Sequence, residues 1–194
     1  EDSSRMEVQM NYEELGLTIK DDLKEAIALI NNPEIDPDVR QMNLEVLFRE
    51  TGGQVYRVVY AMNAWDMDID FTEGEGINDF YYGLAKNVSD SISTGGRSNV
   101  DAQVDEWLSN QILKAMWDAF TTAKEHGKYP TVTRNEPSDC CDFCAQFRNM
   151  TFVDPSPEVF KRHDRCKGTI TTSGYKTRNG LYVGARKAWV YMGD

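Results

Sequence analysis

Apolar residues recur every three or four positions through most of the first 130 residues, which is the period of α-helices that bury one face. The first such run extends from Ile19 to Ile30, and Pro33 ends it because proline cannot continue a helix. Thr18 and Asp21 have the spacing of a capping box, which places the start of this helix at Thr18.

The next helix has a clearer start. Asp36 is a favourable N-cap residue, and Pro37 suits the first helical position, where no backbone donor is needed. The Gly52-Gly53 pair is expected to kink or split this helix, and the helical period resumes at Val55 and continues to Trp65. The residues predicted to form its buried stripe are Val39, Met42, Val46 and Leu47.

A change of period follows. From Trp65 to Phe71 apolar residues alternate with three aspartates, as in a half-buried extended segment. An EF-hand calcium loop beginning at Asp66 would need glycine and glutamate where the chain has Phe71 and Ile77, so the extended segment is favoured.

Two further helices are predicted, the first from Ile77 to Ser93 and the second from Ser98 to about His126. Gly127 closes the second of them. His126 lies where positive charge meets the negative end of the helix, so we interpret it as a C-terminal helix residue rather than a catalyst.

After Pro130 the chain consists of short, turn-rich segments. Asn179-Gly180 predicts a β-hairpin between residues 175–178 and 181–184, and Lys187 to Met192 is a candidate for a further strand. The predicted fold class is α+β: an acidic α-helical domain over residues 1–130, followed by a zinc-stapled β-hairpin module over residues 131–194.

The charge of the chain is divided unevenly between these two parts. Residues 131–194 contain ten lysines and arginines against seven acidic residues, whereas residues 1–130 contain eleven against twenty-five. An acidic helical part argues against general coating of DNA, because phosphate repels it. The sequence contains no run of about 18 apolar residues of the kind that spans a membrane, and Glu1 to Arg5 has no feature of a secretory signal.

All four cysteines and one of the two histidines lie within a single stretch of 27 residues, 140–166. Cys141-x-x-Cys144 and His163-x-x-Cys166 form two pairs, each short enough to occupy one tight turn. Two such pairs supply the four sulfur and nitrogen ligands that Zn²⁺ prefers in tetrahedral sites. Four protein ligands leave no open position for water, so the predicted site is structural rather than hydrolytic.

Other interpretations of these cysteines are a redox-active Cys-x-x-Cys pair, disulfides and unrelated buried thiols. A redox-active pair would need the strand and helix context of thioredoxin-like sites, which the sequence before Cys141 lacks. Disulfides are disfavoured because Cys140 and Cys141 are adjacent in the chain, which makes their pairing geometrically awkward. Cys140 is a spare thiol that could replace a neighbouring ligand. The His-x-Glu motif of zinc deaminases is absent from the sequence, as is a Gly-rich phosphate loop, so no enzymatic activity is expected.

A helical front half followed by Cys-x-x-Cys and His-x-x-Cys resembles the minor head proteins of tailed phages, the phage Mu F-like head-morphogenesis family. The matching stretches are residues 139–144 and 160–166, about 30 residues with the spacer between them. Members of that family often end the motif with Cys-x-Cys, whereas Gly168 occupies the last position here.

The resemblance implies a non-enzymatic virion component, a minor capsid protein that acts in the host cytoplasm during assembly and remains in the head. Its implied partners are the portal, the major capsid protein or both, and packaged DNA through the basic C-terminal module.

A second hypothesis is a zinc-knuckle module of a regulatory protein that binds nucleic acid or another protein. Basic and aromatic residues suited to such binding are Arg162, Arg165, Lys167, Tyr175, Lys176, Arg178, Tyr182, Arg186, Lys187 and Trp189. A third, a toxin or modifying enzyme fused to a phage-like zinc module, lacks a recognisable catalytic set.

Overall fold

In the residues that the computed structural model describes, the protein is an α+β fold with four long helices and a small antiparallel sheet. The structure describes residues 12–30, 32, 34–67, 69, 81–94, 97–128, 130–160, 168–172 and 185–186. Its helices are α1 (Tyr12–Ile30), α2 (Pro37–Met67), α3 (Tyr81–Ser93), α4 (Arg97–Glu125) and the short α5 (Asp142–Ala145). Its strands are β1 (Thr131–Asn135), β2 (Thr151–Val153), β3 (Thr169–Thr172) and β4 (Ala185–Arg186).

The predicted ends of the first two helices are partly confirmed. Helix α1 ends at Ile30 as expected, but its described part already starts at Tyr12, before the capping box predicted at Thr18. The start of α2 is confirmed, because the Asp36 carboxylate accepts hydrogen bonds from the backbone N–H of Asp38 at 2.9 Å and of Val39 at 3.4 Å. A side chain that accepts from these otherwise unpaired N–H groups is a favourable N-cap.

The predicted buried stripe of α2 is wrong at three of its four positions, and the fourth, Leu47, is partly buried against the core. Val39, Met42 and Val46 are exposed by 44%, 56% and 49%. The first half of the helix instead buries Leu44 and Phe48, which are fully enclosed. The sequence offers two apolar stripes on opposite sides of this helix, and the bulkier leucine and phenylalanine enter the core.

This reversal predicts opposite effects for two neighbouring substitutions. Leu44→Ala is expected to lower the free energy of unfolding by about 2–5 kcal/mol, because it leaves a cavity in a closed core. Met42→Ala is expected to change it by no more than about 0.5 kcal/mol, since its side chain is largely exposed. Urea unfolding of both variants tests the assignment, and an equal loss in the two would contradict it.

Two further expectations for α2 are contradicted, the split at the glycine pair and the start of an extended segment at Trp65. The Gly52-Gly53 pair does not split the helix, and α2 continues through Trp65, where the extended segment was expected to begin, as far as Met67. A Cβ built at Gly52 would lie 3.0 Å from the indole ring of Trp107 in α4, so the glycine permits close helix packing there. This contact offsets the low helix propensity of glycine. Three of the seven residues of the predicted extended segment, Asp68 and residues 70–71, lie outside the described residues.

Helices α3 and α4 agree with their predictions. The described part of α3 begins at Tyr81, and residues 77–80 of the predicted helix lie outside the described residues. Helix α4 covers Arg97–Glu125 and is followed by Gly127 at a positive φ of 72°, a conformation that glycine adopts without strain. None of the helices in the described ranges has the length and apolar character needed to cross a membrane.

The described strands form one antiparallel sheet in the order β2-β1-β3-β4. In the centre, β1 pairs with β2 through Val132 and Phe152 and with β3 through Asn135 and Thr169. The predicted hairpin at Asn179-Gly180 and the strand at Lys187–Met192 lie outside the described residues.

The sheet packs against the helices. Val132 and Ile170 are fully buried and belong to the same apolar cluster as the helix residues. The ring of Phe160 lies 5.3 Å from that of Trp117 and 5.6 Å from that of Phe120, both in α4. The helical and β parts therefore share apolar core, and the division of the chain at residue 130 stays a prediction.

Candidate metal centre

The structure places one of the two predicted ligand pairs. Cys141 immediately precedes α5 and Cys144 lies within it, whereas His163 and Cys166 lie outside the described residues. The structure therefore shows the turn that carries Cys141 and Cys144, and the residues on either side of the second pair, up to Phe160 and from Gly168.

Cys141 is the N-cap of α5, with an extended backbone at φ −68° and ψ 164°. Its Sγ accepts a hydrogen bond from the backbone N–H of Cys144 at 3.5 Å. Its carbonyl accepts from the N–H of Ala145 at 2.9 Å, which closes the turn. The turn thus presents the exposed Cys141 sulfur beside a backbone N–H donor.

Cys144 is 1% exposed, and its Sγ accepts a hydrogen bond from the Nη2 of Arg134 at 3.4 Å. A guanidinium at this distance stabilises a thiolate, the form in which cysteine binds metal. Groups that hydrogen-bond to a ligand fix its position and tune its affinity for the ion. Arg134 has the position of such an outer group in the candidate centre.

Arg134 is itself buried and is held by Glu136, two residues further along the chain. The carboxylate Oε1 accepts hydrogen bonds from Arg134 Nε at 2.8 Å and is 2.7 Å from its Nη2, and both side chains are at most 1% exposed. The ring of Phe147 lies 4.7 Å from the guanidinium carbon and adds a cation–π contact. Paired charge makes the burial of both groups tolerable.

Gly168, at the other side of the predicted site, lies against the same pair. A Cβ at this position would be 2.6 Å from Cδ and 2.9 Å from Oε1 of Glu136, and closer still to Oε2. No side chain fits there while Glu136 holds Arg134. The absence of a cysteine at position 168 therefore has a packing reason: the space is filled by the carboxylate that orders the first ligand pair.

Cys140 belongs to the preceding turn, in which its N–H donates to the Pro137 carbonyl at 3.2 Å. Its Sγ accepts from Arg148 Nη2 at 3.4 Å, and the same nitrogen donates to the carbonyls of Pro137 and Ser138. Arg148 thus ties this turn together. The three cysteines that the structure describes are thiols rather than disulfide partners of one another.

The pairing of β1 with β3 brings together the two stretches of chain that carry the predicted ligands. Asn135, the last residue of β1, faces Thr169, the first residue of β3. Cys141 follows Asn135 by six residues, and Cys166 precedes Thr169 by three. Both ligand pairs are therefore joined by short links to the same end of the sheet.

Sequence reasoning did not find Arg134 and Glu136. Their signal is present in the alternation of β1, where Val132 and Arg134 are buried between half-buried neighbours. An arginine at an inward position of a strand indicates a buried acidic partner, because an unpaired charge is rarely buried.

Among the described residues, no three histidine, cysteine or acidic side chains come together as a metal-binding group, and two of the four predicted ligands are not in that set. Comparison of the chain with protein families, with curated proteins and with solved structures finds no match.

Proposed function

We propose that residues 131–194 hold one structural Zn²⁺ through Cys141, Cys144, His163 and Cys166. The observation that carries the proposal is the ordering of Cys144 by Arg134, together with the contact of Glu136 with Gly168. These contacts link the first ligand pair to the chain that follows the second pair.

Distances along this link are short enough to permit convergence of the two pairs. Cys144 Sγ is 3.4 Å from Arg134 Nη2, which is 2.7 Å from Glu136, and Glu136 contacts Gly168. Cys166 is two residues from Gly168, and two residues span at most about 7 Å of chain. The link therefore leaves Cys166 free to reach the same ion as Cys144, at Zn–S distances of about 2.3 Å.

The function we propose for the whole chain is that of a non-enzymatic minor capsid or head-morphogenesis protein of a tailed phage. The support is the spacing of the two ligand pairs behind a helical front half, together with a turn geometry suited to holding sulfur ligands. In this role the module binds the portal or the inner surface of the head. The protein is in the host cytoplasm during assembly and in the virion afterwards. A zinc-stapled module keeps its shape without catalysis, because metal binding contributes folding free energy on the order of 10 kcal/mol in small modules.

The metal is tested by the zinc content and the stability of the full chain. We expect one zinc per chain, and a rise of about 2.7 kcal/mol in the free energy of unfolding when free zinc is 100 times its Kd. Cys144→Ser is expected to lose the metal. Cys140→Ser is the matched control, because it removes an adjacent thiol outside the proposed ligand set. Zinc lost in Cys140→Ser and retained in Cys141→Ser would overturn this ligand set.

The role in the virion is tested by co-purification with the products of a phage that carries this chain. We expect the chain in mature heads and in complexes with purified portal. Binding to shells that lack a portal, with none to the portal itself, would redirect the assignment to the major capsid protein. Absence from virions altogether would refute a structural role in the head.

A second candidate, a nucleic-acid-binding zinc knuckle, is favoured by the net charge of +3 over residues 131–194. It predicts a complex of the full chain with DNA or RNA that weakens steeply as salt rises, because phosphate contacts release counterions. No complex at low salt would dismiss it.

A further inference from the structure

The outer face of the first half of α2 carries an apolar stripe that the helical core does not cover. Val39, Met42 and Val46 are exposed by 44%, 56% and 49%. At 3.6 residues per turn these three positions, together with Asp38 and Arg49, fall within about 100° of arc. Isolated exposed apolar residues are ordinary, but a continuous row of them on one helix face marks an interaction surface.

The stripe ends in opposite charges. Asp38 lies at the N-terminal end of α2, and Arg49 lies eleven positions later, about 16 Å along the helix. Arg49 forms an ion pair with its neighbour Glu50 at 3.2 Å, but both side chains are at least 50% exposed. Such exposed pairs are weak, so Arg49 can exchange this partner for another carboxylate at little cost.

The apolar and charged residues of this stripe can pair with those of a second copy that runs in the opposite direction. If two copies of the stripe are laid side by side in opposite directions, Val39 meets Val46 of the second copy and Met42 meets its equivalent. In the same arrangement Arg49 faces Asp38 of the second copy at both ends. A patch that matches its own reversed image is the requirement for a two-fold symmetric interface.

We propose that the stripe Asp38–Val39–Met42–Val46–Arg49 is the contact surface between two copies of this chain, which associate through antiparallel α2 helices. Three half-exposed apolar side chains bury far less than the roughly 800 Å² per partner of a standard stable interface. The association is therefore weak in dilute solution and becomes significant where copies are concentrated. It does not depend on the metal or on the proposed role in the virion.

The experiment is sedimentation equilibrium of the full chain over roughly 10–500 µM, a range suited to weak association. The wild-type chain is expected to approach a dimer at the upper end. Met42→Arg is expected to weaken dimerisation by more than about 10-fold, because it places two like charges at the centre of the interface. Gln54→Arg is the matched control: it adds the same charge to an exposed position of α2 outside the stripe and is expected to leave association unchanged.

The orientation is tested by exchange of the terminal charges. Arg49→Glu and Asp38→Arg, each alone, are expected to weaken the dimer, and the double variant is expected to restore it. Thermal unfolding of each variant at low concentration confirms that folding is intact. A wild-type chain that stays monomeric throughout, or a Met42→Arg variant that associates like wild type, would overturn the proposal. A double variant weaker than both single variants would overturn the antiparallel arrangement.

Discussion

Replacing Gly168 by alanine is expected to lower the free energy of unfolding by about 3–5 kcal/mol. The new Cβ would lie 2.6 Å from Cδ of Glu136 and closer to Oε2. Glu136 cannot swing away, since its side chain is fully buried and bonded to Arg134. Either β3 moves off β1 or the ion pair breaks. Urea unfolding monitored by circular dichroism measures the loss.

The matched control is Gly83→Ala in α3. A Cβ at Gly83 meets nothing within 4 Å, so alanine there is expected to leave stability unchanged or raise it by up to about 1 kcal/mol. The contrast separates a steric clash from the general effect of replacing glycine. If Gly168→Ala were as stable as wild type, the contact between Glu136 and the start of β3 would be incorrect.

Replacing Arg134 by methionine is expected to cost about 3–5 kcal/mol, because it leaves the Glu136 carboxylate buried without its counter-charge. The same change removes the donor to Cys144 Sγ and the cation above Phe147. We therefore also expect weaker zinc binding, by about 10–100-fold, as is typical when a group that orients a ligand is lost. Competition with a chromophoric chelator measures the affinity.

A double-mutant cycle distinguishes the ion pair from simple loss of packing. Glu136→Met alone leaves the arginine unpaired, whereas Arg134→Met combined with Glu136→Met removes both charges and keeps apolar volume. The double variant is expected to be more stable than either single variant, so the coupling energy is expected to exceed the larger of the two single losses. Additive losses would show that the two side chains do not depend on each other.

The sequence predicted helices well where their ends carry chemical signals. Asp36 and Pro37 mark the start of α2, and Gly127 marks the end of α4, because caps and glycines act through local backbone geometry. Local signals failed for Gly52-Gly53, where a contact with Trp107, 55 residues away along the chain from Gly52, outweighs the cost of glycine.

Periodicity alone could not predict which side of α2 faces the core. Both sides of its first half carry apolar residues at helical spacing, and only the positions of α3 and α4 decide that Leu44 and Phe48 face inward. The exposed stripe that the sequence pattern assigned to the core is the one proposed as the contact between two copies of the chain. An apolar stripe at helical spacing can therefore mark either a core face or an intermolecular face.

The candidate site shows a similar division between local and tertiary information. The spacing of Cys141 and Cys144 predicts a ligand pair from the sequence, and the structure shows these residues on one tight turn. The ordering of Cys144 by Arg134 depends on which way β1 faces, and the contact with Gly168 depends on the register of β3. Neither depends on spacing in the sequence.

The burial of Phe160 between Trp117 and Phe120 couples the unfolding of the β part to that of the helices. Releasing the β part would expose those aromatic faces to water, which links its opening to loosening of the C-terminal half of α4. The Lys124–Asp154 ion pair, 2.7 Å long, spans the same boundary. Heat is therefore expected to melt the chain in one cooperative step, and no protease-resistant helical fragment should outlast the sheet.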